Sequence, residues 1–312
     1  MIRVGVIGAG MVFGLYQRAA AKVRGLEISA VYDVDPRRSA AFCGQGTVAG
    51  SLGELLRCAI DAVFILSPNA THVSLVEAAL DRGLPVLCEK PLAPTPDEAE
   101  QLLTLADDRR LLLYAAMHVR HRPEIIRVTD HLDGGISTFQ QVWLEDWTSA
   151  PAWYLRAASS RGGVLLDVGI NQIDWVARLV AGLRPMRAQA VLGEEVETAC
   201  LIQWSFDGGH GSTHVDWRAR PERKITTFIS RDGRSIEVNH EHKCVKLDGQ
   251  ILGPWGDDEY EGVLRDFISR FYERHSPNDR TPVRALSLIR DVYSQLGLQF
   301  VRDTDQAKVK AE

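Results

Sequence analysis

The residue whose type and position point most directly to chemistry is Lys90. It follows the short apolar run Leu84–Cys88 and lies between Glu89 and Pro91. A short apolar run of this kind predicts a buried β-strand, so the lysine would stand at the strand's end. An amine held there could exchange a proton with a bound hydroxyl group. A solvated strand end is the simpler alternative.

A second chemical feature is the glycine pair Gly8-Ala9-Gly10, directly after the apolar run Ile2–Ile7. Glycines here let the backbone turn tightly and approach a pyrophosphate, whose charge then meets the N-terminus of the next helix. Asp33 ends the next predicted strand, 23 positions after Gly10, where a carboxylate can accept hydrogen bonds from ribose hydroxyls. The usual third glycine is replaced by Phe13. The pattern predicts a dinucleotide site, and places Lys90 where it could meet a nicotinamide and an alcohol.

The same loop suggests which dinucleotide binds. Asp33 would repel the 2′-phosphate of NADP, whereas Arg37 could bind it or could lie in solvent at a helix start. We therefore expect NAD to be preferred, with NADP as the alternative. Met11 and Val12, at the start of the first helix, are expected cofactor contacts.

The first third of the chain alternates strand and helix patterns, which predicts a doubly wound parallel sheet of the Rossmann type. The predicted strands are Ile2–Ile7, Glu27–Tyr32, Asp61–Leu66, Pro85–Cys88 and Leu111–Ala115. The predicted helices are Met11–Val23, Thr71–Asp81 and Pro96–Asp108. This α/β pattern ends near residue 120, so we predict a dinucleotide-binding domain over residues 1–120.

The remaining residues, 121–312, predict a substrate-binding and oligomerisation domain of the α+β class with an open, mainly antiparallel sheet. Its predicted strands alternate polar and apolar residues, with Asp-Gly turn signals between some of them. They are Ser137–Asp146, Met186–Leu192, Thr198–Phe206, Ser212–Arg218, Lys224–Ser230, Ser235–Asn239 and Lys243–Leu247. Its predicted helices are Glu124–Leu132, Gly163–Leu179, Asp258–Arg274 and Thr281–Val301.

Composition narrows the class of protein. The chain has 312 residues, 45% of them hydrophobic, and a formal net charge of −5. That mild acidity gives no support for a nucleic-acid partner, and no apolar run is long enough to suggest a membrane span. The five cysteines are scattered without a CxxC pair, so neither a disulfide framework nor a zinc site is indicated. We expect a cytoplasmic protein.

Several motifs occur together along the chain: Ser67-Pro68-Asn69, then His72, then Glu89-Lys90-Pro91, and then the segment from Gly162 to Asp174. They resemble the glucose–fructose oxidoreductase / inositol dehydrogenase family (Gfo/Idh/MocA), over nearly the whole chain. The resemblance implies a Rossmann domain, a C-terminal domain with an open sheet, and NAD(P)-dependent oxidation of a sugar or polyol hydroxyl.

The resemblance also implies roles for individual residues. It places Lys90 beside the nicotinamide, and Asp167 and Asn171 on the helix that faces it. By the same resemblance, the cofactor is contacted by residues at the ends of the sheet strands. These are Ser67, Pro68, Asn69, His72, Glu89 and Lys90.

One departure from the family pattern DxGxHxxD concerns the proton. Asn171 occupies the histidine position, and a side-chain amide can orient a hydroxyl but cannot act as its base. The form with asparagine is similar to a subgroup of the family, the aldose 1-dehydrogenases that act on D-galactose or L-arabinose. The stretches His118–Pro123, Trp143–Asp146 and Asp216–Arg218 are also similar to that subgroup.

That similarity suggests further substrate contacts, each with a plainer alternative. His118 is either a sugar contact or a structural histidine, and Glu145 is either an acidic sugar contact or a rim charge. Trp153 either stacks on a sugar face or fills an interface. The segment Ser149–Tyr154 departs from the subgroup, which leaves the sugar's identity open. The paired histidines His210/His214 and His240/His242 lack a convincing set of further ligands, so we take them as surface residues and expect no metal.

The proton chemistry then falls to Lys90 and Asp167. Burial can lower the pKa of a lysine by about 3–5 units, whereas a neighbouring carboxylate raises it. The two groups would titrate as a pair, so no single base is assigned. The hydroxyl on an anomeric carbon is more acidic than an ordinary alcohol, and its oxidation asks less of a base.

Three functions follow from these observations. The leading hypothesis is a dehydrogenase that moves a hydride from C1 of a galactose- or arabinose-like aldose to the nicotinamide and forms a lactone. The first alternative is oxidation of a secondary hydroxyl of an inositol, nucleotide sugar or polyol. The second is a non-catalytic sugar- or NAD-sensing transcriptional regulator. By analogy with the family we expect a homodimer or homotetramer.

Overall fold

A computed structural model of the chain describes residues 1–42, 46–132, 134–147, 152–256, 258–273 and 277–299. Contacts divide the chain into two compact units. The first comprises residues 1–93, 97–118 and 258–282, and the second comprises residues 94–96, 119–257 and 283–312.

The first unit contains a parallel sheet of short strands, of which the first, fourth, fifth and sixth are almost wholly buried. They are β1 (Ile2–Ile7), β2 (Leu26–Tyr32), β3 (Thr47–Val48), β4 (Ala62–Ile65), β5 (Val86–Glu89) and β6 (Leu113–Ala116). In the described residues their order is β3-β2-β1-β4-β5-β6, with every neighbouring pair parallel. The order reverses beside β1, and in such sheets ligands bind at the carboxyl ends of the strands near this point.

The second unit contains a larger sheet. Its strands are β7 (Ile136–Asp146), β8 (Arg184–Leu192), β9 (Glu197–Phe206), β10 (Gly209–Asp216), β11 (Arg218–Ser230), β12 (Ser235–Asn239), β13 (Cys244–Leu247) and β14 (Gln250–Leu252). Within the described residues they run in the order β14-β13-β12-β11-β7-β10-β9-β8, and only β7 and β10 pair in parallel. The predicted fold class, a Rossmann sheet followed by a mainly antiparallel sheet, is confirmed.

The helices complete both units. They are α1 (Phe13–Lys22), α2 (Pro36–Ser39), α3 (Leu52–Leu55), α4 (His72–Asp81), α5 (Pro96–Asp108), α6 (Pro123–Thr129), α7 (Ala157–Ser160), α8 (Ile170–Leu179), α9 (Glu259–Glu273) and α10 (Thr281–Leu296). The predicted ends of the last two helices, Arg274 and Val301, lie outside the described residues. No helix among the described residues is long and apolar enough to cross a membrane.

Helix α9 packs in the first unit, although it follows the second sheet in the chain. Phe267 lies edge-on to Phe64 of β4, with ring centroids 5.2 Å apart, and Tyr260 lies edge-on to Tyr16 of α1 at 5.2 Å. A division in chain order at residue 120 therefore does not describe this helix. Its apolar face completes the core of the first unit, and the sequence pattern of α9 alone does not show which sheet it covers.

Strand β11 begins at Arg218 rather than at the predicted Lys224. Its first residues pair with the end of β7, but the register is irregular between Arg218 and Arg223. Four of the six residues 218–223 are charged and five are exposed, so this stretch lacks the alternation that predicts a half-buried strand.

Helix α8 is fastened to the second sheet by buried polar side chains. The amide of Gln141 on β7 donates to the carbonyl oxygen of Gln172 at 3.1 Å, and it accepts from the hydroxyl of Thr213 on β10 at 2.7 Å. Buried polar groups that are satisfied in this way specify one arrangement. They fix the helix that carries the candidate residue Asn171.

Candidate active site

The glycine loop after β1 is built for a close approach of backbone. Gly8 has a φ of +97°, and a Cβ added there would lie 2.8 Å from backbone atoms of Leu66 and Ser67. Only glycine fits such a position. At Gly10 an added Cβ would meet nothing within 4 Å, so there is open space beside the loop where α1 begins. This space and the N-terminus of α1 fit the pyrophosphate of a dinucleotide. Met11 is exposed and Val12 half-buried beside it.

Asp33 links the end of β2 to this loop. Its carboxylate accepts a hydrogen bond from the Ala9 N–H at 2.7 Å and another from the Asp35 N–H at 2.8 Å. These contacts fix the carboxylate where the second strand ends and leave its other lone pairs for a ligand. Its predicted contact with the ribose hydroxyls stays a prediction.

Arg37 is engaged at the start of α2. Its guanidinium donates twice to the carboxylate of Asp35, at 2.9 and 2.8 Å, while its side chain is 88% exposed. These hydrogen bonds hold the pKa of Asp35 at about 2. The predicted contact of Arg37 with the cofactor stays a prediction.

His72 connects the chain after β4 with the chain after β5. Its buried ring places Nδ1 2.7 Å from the Pro91 carbonyl oxygen and Nε2 2.9 Å from that of Ser67. Burial lowers the pKa of His72, and the neutral ring donates to only one of these carbonyls at a time. The ring therefore positions both loops. The expected cofactor contacts of His72 and of Ser67, Pro68 and Asn69 stay predictions.

Glu89 and Lys90 stand at the end of β5. The Glu89 carboxylate accepts from the Tyr16 hydroxyl at 2.8 Å and from the Lys90 N–H at 3.1 Å, and Lys90 is half-buried. Burial, together with Glu89, raises the pKa of Tyr16 well above its usual value, so the phenol remains a donor. Tyr16 was missed from the sequence. A tyrosine on the apolar face of a helix, which needs a buried partner for its hydroxyl, was the available signal.

Asp167 and Asn171 lie on one continuous helical segment of the second unit. Residues Leu165–Gly169 form a π-helical turn that leads into α8, where a regular α-helix was predicted from Gly163. The Asn171 amide donates to the Asp167 carbonyl oxygen at 3.4 Å, and both side chains are buried. Within the described part of the chain, Asn171 Oδ1 has no hydrogen-bond partner. A buried acceptor of this kind needs a partner such as an ordered water or a ligand, and the predicted contact of Asn171 with substrate stays a prediction.

Asp174, the last residue of the same motif, has a different role. Its carboxylate takes two hydrogen bonds from the Arg120 guanidinium, at 2.9 and 2.6 Å, and both side chains are largely buried. This ion pair joins α8 to the 3₁₀ turn His118–His121 and so fixes the position of that turn against the helix. In the first unit, the His118 ring stacks on Tyr260 at 5.3 Å. Its predicted sugar contact stays a prediction.

Glu145 is surrounded by protein donors. It accepts from the Trp143 indole at 2.9 Å, from Lys224 at 2.7 Å and from the Trp147 indole at 2.5 Å. Burial alone would raise the pKa of Glu145, but Lys224 and the indoles outweigh it and the net pKa is lowered. Both carboxylate oxygens are therefore engaged, which gives Glu145 a part in fixing Trp147. Its contact with sugar stays a prediction.

The indole of Trp153 stacks on Tyr154, with ring centroids 3.9 Å apart, and Tyr154 lies 5.0 Å from Trp147. Residues 149–151, expected to border the sugar, lie outside the described residues. A flat aromatic surface suits a sugar ring. The contact of Trp153 with sugar stays a prediction.

One histidine was placed wrongly on the surface. His240 is buried, and it contacts Glu124 at 3.1 Å and Thr226 at 3.0 Å. The ring of Trp143 packs against His240 and helps to exclude solvent from it. His240 lies in a turn, and the alternation of polar and apolar residues along a strand does not predict the burial of a turn residue. No group of three potential metal ligands occurs among the residues that the structure describes.

Two family models match the chain, one in its N-terminal part and one in its C-terminal part. Residues 2–117 match the family model described as "Oxidoreductase family, NAD-binding Rossmann fold", and residues 133–240 match the GFO/IDH/MocA C-terminal domain. The rhizopine catabolism protein MocA of Rhizobium meliloti is 32% identical over 70% of this chain and 72% of that protein. A scyllo-inositol 2-dehydrogenase (NADP⁺) of Bacillus subtilis is 30% identical over 67% of each.

Solved structures share the fold. A levoglucosan dehydrogenase in complex with NADH and levoglucosan superposes with a TM-score of 0.83 at 18% identity, covering 95% of this chain and 97% of that one. A 3-ketoreductase of Actinomadura kijaniata in complex with NADP and TDP-benzene gives 0.82 at 22% identity, covering 94% and 97%. At these identities the likeness shows the fold alone.

Proposed function

The chain belongs to the GFO/IDH/MocA oxidoreductase family, and from this premise we propose that it oxidises C1 of a cyclic aldose to a lactone, with NAD preferred. The coarser activity, NAD(P)-dependent oxidation of a sugar or polyol CH–OH group, is common to the dehydrogenases among its relatives. The finer choice of C1, and of a galactose- or arabinose-like sugar, is our inference.

One observation carries the choice of C1. Asn171 is buried at the position where the family pattern has a histidine, and its acceptor oxygen meets no donor among the residues that the structure describes. Its amide can hold a hydroxyl but cannot take up its proton near neutral pH. An anomeric hydroxyl is the alcohol that asks least of a base, and it therefore suits a site without the histidine.

The proposed roles follow from this chemistry. Oxidation removes a hydride from C1 and a proton from its hydroxyl, and the nicotinamide supplies the hydride acceptor when it is bound. We assign the proton to Lys90 and Asp167 as a pair, with Asn171 orienting the hydroxyl. Gly8, Gly10 and Asp33 would hold the cofactor. Orientation should contribute more than proton transfer, since effective molarities reach about 10⁵–10⁸ M and general-base catalysis supplies about 10²–10⁴-fold.

A second candidate is oxidation of a secondary hydroxyl of an inositol or related polyol. It is favoured by the relative that acts on scyllo-inositol and by an inositol 2-dehydrogenase of Rhizobium meliloti that is 26% identical over 89% of this chain. A D-xylose 1-dehydrogenase of Haloarcula marismortui, 24% identical over 65%, supports the C1 reaction instead. The relatives thus include both reaction types.

An assay of reduced cofactor across a panel of aldoses and polyols, with NAD and with NADP, tests the proposal. We expect turnover with aldoses and a product that hydrolyses from lactone to acid. We expect kcat/KM to favour NAD by at least about tenfold, equivalent to ~1.4 kcal/mol. A stable ketone from a polyol would establish the second candidate, and a clear preference for NADP would overturn the role of Asp33.

We also propose that the chain forms a homodimer or homotetramer. Large apolar side chains are exposed on neighbouring strands β8 and β9, and two of them, Val191 and Leu201, share one face of the sheet because Leu201 pairs with Gln189, two residues before Val191. A sheet surface of this kind needs a cover, and a second copy of the chain would supply one. Light scattering should give a multiple of the monomer mass of 34.6 kDa. The monomer mass alone, at micromolar concentration, would contradict the proposal.

A further inference from the structure

A buried carboxylate stands at the start of the helical segment that carries Asp167 and Asn171. Glu197, at the beginning of β9, is only 4% exposed. Both of its oxygens lie 3.1 Å from the Gly163 nitrogen, and Oε1 also accepts from the Leu165 N–H at 3.1 Å. These N–H groups point back from the first turn of the segment, where a helix has no internal acceptors for them. The carboxylate therefore caps this end of the segment.

The cap is closely fitted. A Cβ added to Gly163 would collide with the carbonyl oxygen of Glu197 and would lie 2.8 Å from its carboxyl carbon. The Tyr293 hydroxyl of α10 donates to Glu197 Oε1 at 2.9 Å. Burial, and then Glu197, raises the pKa of Tyr293 well above its usual value, which keeps this hydroxyl protonated as a donor. Glu197 thus joins β9, α10 and the helical segment at one point.

The contacts of Glu197 lie close in the chain to the proposed catalytic residue Asp167. Asp167 lies two residues after Leu165, and the Asp167 N–H donates to the Gly163 carbonyl oxygen at 3.2 Å. Burial raises the pKa of Glu197, and its two oxygens accept the N–H groups of Gly163 and Leu165. A turn whose first N–H groups are held in this way cannot rotate or slide without breaking those bonds. The cap therefore sets the rotation of the segment, and with it the direction of the Asp167 and Asn171 side chains.

We propose that Glu197 is a positioning residue for Asp167 and Asn171. It does not itself meet substrate or cofactor, and it acts through the two N–H groups that it holds. The effect on catalysis rests on the proposed function, but the anchoring of the segment is measurable without any activity.

The test uses Glu197→Gln, which preserves the shape of the side chain but replaces one acceptor oxygen with an NH₂ donor. Glu195→Gln is the matched control, because its exposed carboxylate also accepts a backbone N–H, that of Ala157 at 2.9 Å. Tyr293→Phe is the milder variant, since it removes one donor and leaves both backbone contacts. Each variant is compared by hydrogen exchange and by kcat, in the natural chain and in an Asp167→Asn background.

We expect faster exchange in Glu197→Gln for peptides that cover residues 163–171, with unchanged exchange in the first unit. We expect kcat to fall on the order of 10–10²-fold, as for other misplacements of reacting groups, with little change in the Kd for NAD. In the Asp167→Asn background the same substitution should cost less, because one of the two side chains that it positions is gone.

Unchanged exchange in residues 163–171 overturns the proposal whether or not the chain oxidises sugars. Faster exchange with unchanged kcat overturns the positioning role and leaves a structural one, and an equal loss of kcat in both backgrounds overturns the positioning of Asp167. If Glu197→Gln does not fold, Tyr293→Phe must show smaller changes in the same two measurements. A wild-type chain that is inactive on every sugar refutes the proposed function, while hydrogen exchange still decides whether Glu197 anchors the segment.

Discussion

Replacing Lys90 with methionine should lower kcat by about 10²–10⁴-fold, the range that general acid–base catalysis supplies. Methionine matches the length of the lysine stem but carries no proton and no charge. Lys90 stands at the end of β5 beside the fixed carboxylate of Glu89, whereas the loop that fits the pyrophosphate lies after β1. The Kd for NAD should therefore change little. Steady-state kinetics and NADH fluorescence titration measure the two effects separately.

Lys246→Met is the control for this substitution, because Lys246 is exposed on β13 of the other sheet. It should leave both kcat and the Kd for NAD near their wild-type values. Near wild-type turnover in Lys90→Met would remove Lys90 from the mechanism. A loss of NAD binding equal to the loss of kcat would instead make Lys90 a cofactor ligand without a proton role.

Replacing Gly163 with alanine should destabilise the second unit by about 1–3 kcal/mol or more, the range for overpacking in a well-packed interior. The added methyl group would meet the backbone of Glu197, and a backbone cannot rotate away as a side chain can. Thermal unfolding should show this as a lower Tm, at roughly 2–4 °C for each kcal/mol. Any folded protein that remains should also lose activity, since the capping contacts of Glu197 are displaced.

Gly169→Ala provides the comparison within the same segment. Its nearest neighbour would be Leu165 Cδ2 at 3.1 Å, which is the end of a flexible side chain. Alanine also favours a helix over glycine by about 1 kcal/mol. This variant should therefore keep a Tm close to that of the wild type. Equal Tm values for both alanine variants would show that the packing of Gly163 against β9 is not tight.

The Rossmann sheet could be predicted because its signals are local. Short apolar runs form the buried strands, and Gly8 occurs at a turn whose positive φ and close backbone neighbours require glycine. The π-helical turn at Asp167 could not be predicted, since its sequence is compatible with a regular α-helix. The burial of His240 was missed for another reason. It depends on Glu124 and Thr226, which are far away in the chain.

The sequence predicts the reactive side chains of the candidate site, but it does not predict the residues that hold them in position. Motifs identify which side chains carry chemistry, but their supports come from distant elements. Tyr16 holds Glu89 across 73 positions of the chain, and Glu197 holds Gly163 across 34. Such partners look like ordinary core or strand residues in the sequence. The contacts of Glu145 with Lys224 and with the indoles of Trp143 and Trp147 likewise become visible only in the folded sheet.

The Tyr16–Glu89 hydrogen bond has a consequence for how this protein can be modified. Helix α1 opens at the glycine loop and, through Tyr16, also supports the residue next to Lys90. The glycine loop, which we propose holds the cofactor phosphates, and Lys90 both lie in the first unit. The distance between them is therefore set within that unit. Of the predicted sugar contacts, Glu145, Trp153 and Asn171 lie in the second unit, so substitutions there should leave that distance unchanged. We therefore expect that substitutions can change the substrate preference of this protein while the distance from the glycine loop to Lys90 stays constant.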